Sequence, residues 1–381
     1  MTDNTDGHIA FFGHNAGDAA VRRRADAFLK SGYEVTGFMP HRGPVLASPW
    51  PVIDLGETRD NDYLHRIRSI FSGARLAMAH SDILRDASLI YARNLDMLAT
   101  AAHVKRRLGL NAALVYECLD IHHKLTGHSA IAKILRRIER RLLQQSALVV
   151  ISSPRFEAEH FAVHHPGQYR SFLIENRLVA DEGLPERPQP SAPSDGPLRI
   201  GWFGNLRCRR SLDLLLDLAK RFPDDVLIYL RGYPALGVFP DFEGEIAPYP
   251  NVTYGGRYQA PDDLELIYRA VDVVWAGDWY EAGANSVWLL PNRVYEGGYF
   301  TTPALAPSGT ETAAWLTRNN AGLLVDDPVE QTLPDLVDRL IKDRNMVHEQ
   351  QIKLLDCPRS TFVQDANIIP RMVAIAQMKT P

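Results

Sequence analysis

The segment LPNRVYEGGYFTTPALAP, residues 290–307, contains the start of a helix and the strand that follows it. Pro291 suits the first turn of a helix, and Asn292 and Glu296 then share one helix face because they are four residues apart. The apolar run TPALAP (302–307) is typical of a buried strand. The segment therefore predicts a helix–strand unit of an α/β domain.

Short strand-like runs alternate with helical patterns on both sides of this segment. In the first half these runs are 8–12, 33–39, 88–92, 113–118, 147–152 and 171–175. In the second half they are 198–204, 226–232, 251–256, 271–277, 302–307 and 322–326. Such alternation predicts two doubly wound, Rossmann-like α/β domains, with a cleft between the carboxyl ends of their strands.

A proline-rich stretch, DEGLPERPQPSAPSDGP (181–197), separates the two series of strands and is typical of a linker. We therefore expect an N-terminal domain over 1–182, a linker over 183–197 and a C-terminal domain over 198–360. A last helical pattern lies within 361–381.

Composition excludes several classes of protein. The chain has 381 residues and a net charge of −4, which does not favour nucleic-acid binding. Its three cysteines, Cys118, Cys208 and Cys357, are too far apart in sequence for a disulfide framework or a metal cluster. No apolar run approaches the length of a membrane span. We therefore expect a cytoplasmic protein.

Two stretches of the C-terminal domain have the residues that phosphate binding needs. Arginines follow the first strand of this domain, in GNLRCRRSLDLL (204–215), and the amides of AGANS (282–286) precede the helix of the opening segment. Glu296, about 6 Å further along that helix axis, can accept hydrogen bonds from vicinal hydroxyls of a ribose. The alternative interpretation is a tight turn with solvated arginines and an ordinary helical glutamate.

These stretches resemble a known family. LPNRVYEGGYFTTPALAP resembles the segment of GT-B-fold glycosyltransferases that reads roughly P-x-K-x-x-E, then G-x-P, with Arg293 in the place of the usual lysine. GNLRCRRSLDLL resembles the family's G-x-L-x-x-x-K-G-x-x-x-L, with Arg210 in the lysine place. GHNAGDAAVRRRADAFLKSGYEV (13–35) is similar to the acceptor-side loop and first helix of family 4 enzymes, which are found in bacterial surface polysaccharide biosynthesis.

The resemblance implies a transferase that uses a nucleotide-sugar, with a UDP-sugar as first choice, and that needs no metal and no cofactor. It implies that Glu296 binds the ribose, that Arg210 binds the diphosphate, and that the C-terminal helix crosses back to the N-terminal domain. The family's E-x7-E pair is not intact here, so Glu281 and Asn285 are candidates for the place of the first glutamate. The full donor-binding set is Gly204, Asn205, Arg210, Asn285, Ser286, Asn292, Arg293 and Glu296.

Candidate acceptor residues follow strands of the N-terminal domain. Asp120 and His122 follow the strand ALVYEC (113–118), where a carboxylate and an imidazole can orient a sugar hydroxyl or take its proton. If the anomeric configuration inverts, Asp120 is the first choice of base and His122 the second. If it is retained, both only orient the acceptor, and the departing phosphate takes the proton. The acceptor-binding set is Gly13, His14, Asn15, Gly17 and His123, with Asn94 as a further candidate.

The stretch IAKILRRIERRLLQQ (131–145) predicts an amphipathic helix. Its apolar stripe is Ile131, Ile134, Leu135, Ile138 and Leu142, and its basic stripe is Lys133, Arg136, Arg137 and Arg140. One interpretation packs the apolar stripe on the sheet and leaves the basic stripe in water. The other brings the basic stripe to anionic lipid on the inner face of the cytoplasmic membrane.

Together these patterns predict a metal-independent glycosyltransferase that moves a hexosyl or glycuronosyl group to a glycan or polyprenyl-linked acceptor in exopolysaccharide assembly. A nucleotide-sugar epimerase of the same fold is one alternative, and a non-catalytic GT-B nucleotide-sugar-binding module is the other. A Rossmann oxidoreductase is disfavoured because the GxGxxG signature is missing.

Overall fold

The structure is a computed structural model that describes residues 7–41, 48–57, 63–179, 184–190, 192–193, 195–281 and 285–378. The chain divides into two compact units, which we call the first and the second unit. The first comprises Met1–Glu175 and Asp365–Pro381, and the second comprises Asn176–Gln364. Each unit contains one parallel sheet with helices between its strands. The predicted pair of Rossmann-like α/β domains is therefore confirmed.

The first unit has a seven-stranded sheet in the order β3-β2-β1-β4-β5-β6-β7. Its strands are β1 (His8–Phe12), β2 (Glu34–His41), β3 (Val52–Glu57), β4 (Leu89–Arg93), β5 (Ala113–Cys118), β6 (Leu148–Ile151) and β7 (Ser171–Leu173). Its first eight α-helices are α1 (Ala19–Lys30), α2 (Tyr63–Met78), α3 (Ser81–Asp86), α4 (Leu95–Leu108), α5 (His123–Thr126), α6 (Ala130–Leu143), α7 (Pro154–Phe156) and α8 (Ala162–His164). A π-helical turn, Glu157–Phe161, joins the last two.

The second unit has a six-stranded sheet in the order β10-β9-β8-β11-β12-β13. Its strands are β8 (Leu198–Leu206), β9 (Val226–Pro234), β10 (Val252–Tyr254), β11 (Val273–Trp275), β12 (Ala304–Pro307) and β13 (Gly322–Val325). Its α-helices are α9 (Arg209–Arg221), α10 (Phe242–Ile246), α11 (Leu264–Arg269), α12 (Asn285–Trp288), α13 (Asn292–Tyr299), α14 (Glu311–Asn319), α15 (Val329–Lys342) and α16 (Asn345–Asp356). A last helix, α17 (Ile368–Gln377), belongs to the first unit and packs beside β5.

Central strands were visible in the sequence because they are buried on both faces. In β1 the four residues from Ile9 to Phe12 are fully buried, which gives the continuous apolar run of a covered parallel strand. Strand β3 was missed, since it is an edge strand that carries an exposed Asp54 and a glycine, Gly56, at φ +96°. Such a strand has no apolar run to mark it.

The described part of the proline-rich stretch packs on the second unit. The guanidinium group of Arg187 donates hydrogen bonds to the carbonyl oxygens of Leu355 (3.1 Å) and Cys357 (2.8 Å), and the phenol of Tyr299 donates to the carbonyl of Pro185 (2.7 Å). Part of the predicted linker, residues 183, 191 and 194, lies outside the described residues. A linker over 183–197 remains a prediction.

The segments by which the chain enters and leaves the second unit are paired. Leu178 and Val363 form a parallel bridge, in which the amide of Leu178 donates to the carbonyl of Phe362 (2.9 Å) and the amide of Gln364 to the carbonyl of Leu178 (2.7 Å).

Helix α6 does not turn its isoleucines toward the sheet. Ile131, Ile134 and Ile138 are 59%, 55% and 43% exposed, so the expectation that this stripe packs on the sheet is wrong for all three. The inward side chains of α6 are Ala132, Glu139, Leu142 and Leu143. Glu139 is held inward by hydrogen bonds from two buried histidines of the segment after β6.

The predicted basic stripe is not a single solvated face either. Lys133, Arg137 and Arg140 are exposed, whereas Arg136 is only partly exposed and donates to the carbonyl oxygens of Leu125 (2.5 Å) and Gly127 (2.8 Å). Across the described residues, no helix combines the length and the apolar character needed to cross a bilayer.

Candidate functional site

In the second sheet the order of the strands reverses at β8. The chain adds β9 and β10 on one side of β8, and then adds β11 on the other side, so β8 and β11 are neighbours although β9 and β10 separate them in sequence. In open α/β sheets, ligands bind outside the carboxyl ends of the strands at such a switch point. The residues that follow β8 and β11 are therefore the candidate site, and both strands are followed by polar side chains.

An arginine and an aspartate face each other across the switch point. Arg207, just after β8, forms an ion pair with Asp278 after β11 at 3.2 Å, and the Asp278 side chain is 7% exposed. Asp278 also accepts hydrogen bonds from the Ser286 hydroxyl (3.1 Å) and the Tyr280 amide (2.8 Å). The Ser286 hydroxyl accepts from the amide of Glu281 (2.9 Å). This network connects the residues after β8 and β11 to the start of α12.

Arg210, at the first turn of α9, lies at the surface of the same region. Its guanidinium group stands over the ring of Trp279 at 4.2 Å and pairs with Glu330 at 2.8 Å. Both side chains of the pair are more than a third exposed. An exposed pair of this kind contributes less than about 1 kcal/mol, so Arg210 can exchange Glu330 for an anionic ligand at little cost.

The ends of β8 and β9 approach each other very closely. Gly204 has φ +107°, and a Cβ atom on Gly232 would lie 1.8 Å from the Gly204 carbonyl oxygen. Both positions thus require glycine. The next residue, Asn205, has a buried Oδ1 atom without a hydrogen-bond partner among the described residues.

Helix α13 carries Glu296 into the interior, and Pro291 stands just before the helix as its N-cap. Glu296 is 2% exposed, and its Oε2 atom accepts a hydrogen bond from the Tyr268 phenol at 3.0 Å. Burial first, and the neighbouring carboxylate second, raise the pKa of Tyr268 well above its usual value, so the phenol stays a donor. Arg293 is buried and donates to the carbonyl of Phe203 in β8 (3.0 Å).

The two glycines after Glu296 allow close packing. A Cβ atom on Gly297 would lie 3.0 Å from the Thr302 carbonyl oxygen, and one on Gly298 would lie 2.2 Å from the ring of Phe362. A side chain at Gly298 would therefore displace the Phe362 ring, and one at Gly297 would make a tight contact with the backbone of Thr302.

The remaining predicted donor residues lie around these two groups. Asn285 and Ser286 open α12 and are buried, whereas Asn292 is the partly exposed first residue of α13. Residues 282–284, whose amides are expected at a phosphate, lie outside the described residues. Gly204, Arg293 and Glu296 are connected through Phe203 and Tyr268, whose rings are 5.1 Å apart.

In the first unit the predicted acceptor residues follow β1 and β5, and β4 lies between these two strands. After β1, the Oδ1 atom of Asn15 accepts a hydrogen bond from the Gly17 amide (3.0 Å). The Nε2 atom of His14 lies 3.6 Å from a carboxylate oxygen of Asp18. Asp18 caps α1 by accepting from two backbone amides. Burial alone would raise the pKa of Asp18, but His14, Arg93 and the Val21 amide lower it well below the usual range. A Cβ atom on Gly13 would lie 2.9 Å from Met39.

Asp120 and His122 follow β5 at the same edge of the first sheet. Asp120 is exposed and His122 is partly exposed. The Nδ1 atom of His122 accepts a hydrogen bond from the Lys124 amide at 3.2 Å, which caps α5. The side chain of His123 lies outside the described part of the chain.

One cluster of described residues has the composition of a metal site. Glu139, His160 and His165 are buried, and their ligand atoms lie within 4.8 Å of one another. Both histidine Nε2 atoms lie 2.8 Å from one carboxylate oxygen of Glu139, which is an ordinary hydrogen-bond distance. The cluster is therefore a hydrogen-bonded set that holds α6 on the segment after β6.

Sequence reasoning missed two partners of the site. Asp278 follows the apolar run VVWAG, so its position after a buried strand was a signal that could have been used. Tyr268 had no such signal, because it is 28 residues from Glu296 and meets it only through packing of α11 on α13.

No protein-family model matches the chain. The succinoglycan biosynthesis protein ExoL of Rhizobium meliloti (strain 1021) is 33% identical over 383 residues, covering 98% of this chain and 94% of that protein. Among solved structures, the sucrose-phosphate synthase of Thermosynechococcus elongatus has a TM-score of 0.75 at 15% identity, over 97% of this chain and 98% of that one. Anabaena HepE in complex with UDP-glucose has a TM-score of 0.69 at 16% identity, with the same coverage.

The two low-identity structures show the fold, and the identity with ExoL over nearly the whole of both chains shows the family. The GT-B fold is the one that the sequence blocks around Arg210 and Glu296 resemble. This chain belongs to the family of the succinoglycan biosynthesis protein ExoL, and its fold is the GT-B fold.

Proposed function

We propose that this chain transfers a sugar from a UDP-sugar to a glycan or polyprenyl-linked acceptor in exopolysaccharide assembly, as a cytoplasmic enzyme. The name of the ExoL relative and the UDP-glucose complex of HepE support this proposal. The observation that carries the proposal is the switch point of the second unit. There Arg210 forms only an exposed ion pair with Glu330, and Gly204 lies near the end of β8. Neither an epimerase nor a non-catalytic module is favoured by these relatives.

In the proposed reaction, the bond between the sugar C1 and the diphosphate oxygen breaks and negative charge grows on the leaving group. Arg210 would stabilise that charge without a metal ion, with Arg293 fixing the end of β8 beside it. A hydroxyl oxygen of the acceptor forms the new bond to C1. Its proton goes to Asp120, with His122 as second choice, if the configuration inverts, and to the departing phosphate if it is retained.

A donor screen tests the proposal on the whole chain. UDP-, GDP-, ADP- and TDP-sugars are added separately, and the melting temperature is measured. A ligand at ~100 times its Kd adds ~2.7 kcal/mol of stability, so the correct donor gives a clear rise. Product analysis with and without acceptor then separates transfer from epimerisation, because only an epimerase releases a changed sugar without acceptor.

The role proposed for Glu296 is tested by Glu296→Ala. Two hydrogen bonds from ribose hydroxyls to a carboxylate are worth roughly 2–4 kcal/mol together, so kcat/KM for the donor should fall by a factor of ~30–1000. Glu330→Ala is the control, since its exposed carboxylate only pairs with Arg210, and its kcat/KM should stay near wild type. Equal kcat/KM in Glu296→Ala and wild type would remove Glu296 from the donor site.

We also propose that α6 attaches the protein peripherally to anionic membrane. Ile131, Ile134 and Ile138 are exposed on the helix that also exposes Lys133, Arg137 and Arg140. Exposed apolar and basic side chains on one helix suit the interface of an anionic bilayer, where a polyprenyl-linked acceptor would be found.

Vesicle sedimentation tests this attachment. Binding should increase with the anionic lipid fraction, decrease with salt, and be lost when the three isoleucines are changed to serine. A triple Lys133, Arg137 and Arg140 to glutamine variant should lose the salt dependence. Arg136 is left unchanged because it bonds two backbone carbonyls. Wild-type sedimentation of both triple variants would exclude α6 as the membrane contact.

A further inference from the structure

Arg187, in the described part of the proline-rich stretch, bonds the carbonyl end of helix α16. Its Nη1 atom donates to the carbonyl oxygens of Leu355 (3.1 Å) and Cys357 (2.8 Å), and its Nη2 atom donates to that of Leu354. Helix α16 ends at Asp356, so these carbonyls belong to its last turn and to the residue after it. The last carbonyls of a helix lack partners within the helix and form the negative end of its dipole. A cation is therefore well placed there.

The same guanidinium group reaches the carbonyl end of α13, the helix that carries Glu296. Two weaker contacts of 3.4 Å join its Nε atom to the carbonyl of Tyr299 and its Nη2 atom to that of Gly298. A guanidinium group has five N–H donors, so each donor of Arg187 has a carbonyl acceptor. Arg187 thus joins the ends of two helices that pack beside each other.

Neighbouring residues of the proline-rich stretch contact the same end of α13. The Tyr299 phenol donates to the carbonyl of Pro185 (2.7 Å), and the Thr301 hydroxyl lies 3.4 Å from the carbonyl of Pro188. Thr301 has φ +56°, which is unusual for a β-branched residue. Such a conformation persists only where the surrounding structure holds it. The stretch around Arg187 therefore supports the backbone just after α13 at a strained position.

Glu296 is close to the point where α13 is held. It lies two residues before Gly298, or about 3 Å along the helix axis. Just after α13, the Thr302 hydroxyl donates to the backbone carbonyl of Tyr268 (2.9 Å), and the phenol of Tyr268 bonds Glu296 (3.0 Å). A shift of this end of α13 would therefore disturb both the Glu296 carboxylate and the phenol that bonds it.

We propose that Arg187 is a positioning residue for Glu296. By joining the ends of α13 and α16, it holds α13 where the Glu296 carboxylate can accept hydrogen bonds from both ribose hydroxyls of the donor. The inference rests on the proposed function and adds to it a residue that touches no substrate but controls how well the ribose is recognised.

The test measures ribose recognition separately from stability. The full chain is titrated calorimetrically with UDP and with the dideoxyribose analogue of UDP, which lacks both ribose hydroxyls. In wild type, UDP should bind about thirtyfold more tightly than the analogue. Arg187→Met removes the five donors and should lower this affinity ratio about tenfold. Arg187→Lys keeps the charge but not the planar fork, so its ratio should lie between those of wild type and Arg187→Met.

Arg344→Met is the matched control. Arg344 is also a partly buried arginine of the second unit, and its guanidinium group bonds the carboxylate of Asp272 (2.8 Å). Its replacement should lower the melting temperature, as that of Arg187 does, but leave the affinity ratio at the wild-type value. All titrations are made below the melting temperatures of the variants, so that a loss of folded protein does not enter the ratio.

A double-mutant cycle gives a second readout. If Arg187 acts through Glu296, Arg187→Met should not weaken UDP binding further when Glu296 is already alanine. Additive losses in this cycle, a wild-type ratio in Arg187→Met and Arg187→Lys, or the same fall of the ratio in Arg344→Met would each overturn the inference. Equal affinity of wild type for UDP and its analogue would instead overturn the ribose role of Glu296, and failure of wild type to bind UDP would overturn the proposed function.

Discussion

Glu117 in the first unit and Glu296 in the second are buried to the same depth, at 1% and 2% exposure, but they are held by different partners. Two arginines, Arg24 and Arg93, bond the two oxygens of Glu117. A phenol, that of Tyr268, bonds Glu296. The charge of Glu117 is therefore balanced by two arginines, whereas Glu296 accepts a hydrogen bond from a neutral donor.

The difference indicates what each carboxylate is for. Burial would raise the pKa of Glu117, but the guanidinium groups of Arg24 and Arg93 lower it below the usual value, so its charge is fixed and holds α1, β4 and β5 together. Glu296 accepts a hydrogen bond instead from a neutral group, the phenol of Tyr268. A buried carboxylate of that kind is suited to accept hydrogen bonds from a ligand's hydroxyl groups.

Breaking the first arrangement should have the largest effect on stability. Arg93→Met leaves Glu117 with one cation, and removing one partner of a buried ion pair typically costs about 3–5 kcal/mol. Arg210→Met is the control, because its partly exposed pair with Glu330 should be worth less than about 1 kcal/mol. Urea unfolding of both variants measures the two values. A similar loss of unfolding free energy in both variants would mean that the buried Arg93–Glu117 pair is worth no more than the exposed Arg210–Glu330 pair.

A third buried carboxylate, that of Glu139, is held by two histidines instead of arginines or a phenol. Burial alone would raise the pKa of Glu139. Hydrogen bonds from His160 and His165 outweigh that effect and lower the pKa to about 2. Since the folded-state pKa of Glu139 is lowered, the stability that these hydrogen bonds contribute is fully present above the ordinary pKa of 4.5. About 3 kcal/mol should then be lost as the pH falls toward about 2.

Glu139→Gln should therefore have a flatter dependence of unfolding free energy on pH than wild type, between about pH 5 and pH 3. The measurement is urea unfolding at several pH values for both proteins. Parallel curves would show that other carboxylates cause the acid sensitivity.

The smallest expected effect is that of Tyr268→Phe. Removing a neutral hydrogen bond to a charged acceptor costs roughly 1.5–2 kcal/mol, and donor KM should rise because Glu296 loses its orientation. The control is Tyr254→Phe, whose phenol donates to the uncharged carbonyl of Gly232 (2.8 Å), with an expected loss of about 1 kcal/mol or less. If the two variants lose the same stability and keep the same donor KM, Tyr268 is an ordinary core phenol.

Most of the fold could be predicted from the sequence, because parallel strands buried on both faces form unbroken apolar runs. The expected strand at 198–204 is observed as Leu198–Leu206, and the one at 113–118 as Ala113–Cys118. What could not be predicted is orientation. The isoleucines of α6 form a helical stripe, yet Glu139 faces inward because its histidine partners lie 21 and 26 residues later in the chain.

In the candidate site, residues that belong to a short sequence motif could be predicted. Residues that enter the site only through tertiary packing could not. The Pro291–Glu296 spacing is local and identified Glu296. The roles predicted for Glu296 and Arg210 remain predictions. Tyr268 meets Glu296, and Arg187 meets the helix of Glu296, only through tertiary packing, which no short motif encodes.

The bridge between Leu178 and Val363 has a consequence for protein engineering. The second unit is in effect a guest inserted into the first, and its two ends are joined side by side by backbone hydrogen bonds. Inserted domains with adjacent ends can be exchanged or removed with little disturbance to the host chain. Under the proposed function, replacing Asn176–Gln364 with the corresponding segment of a relative, cut at this one bridge, should change the donor preference.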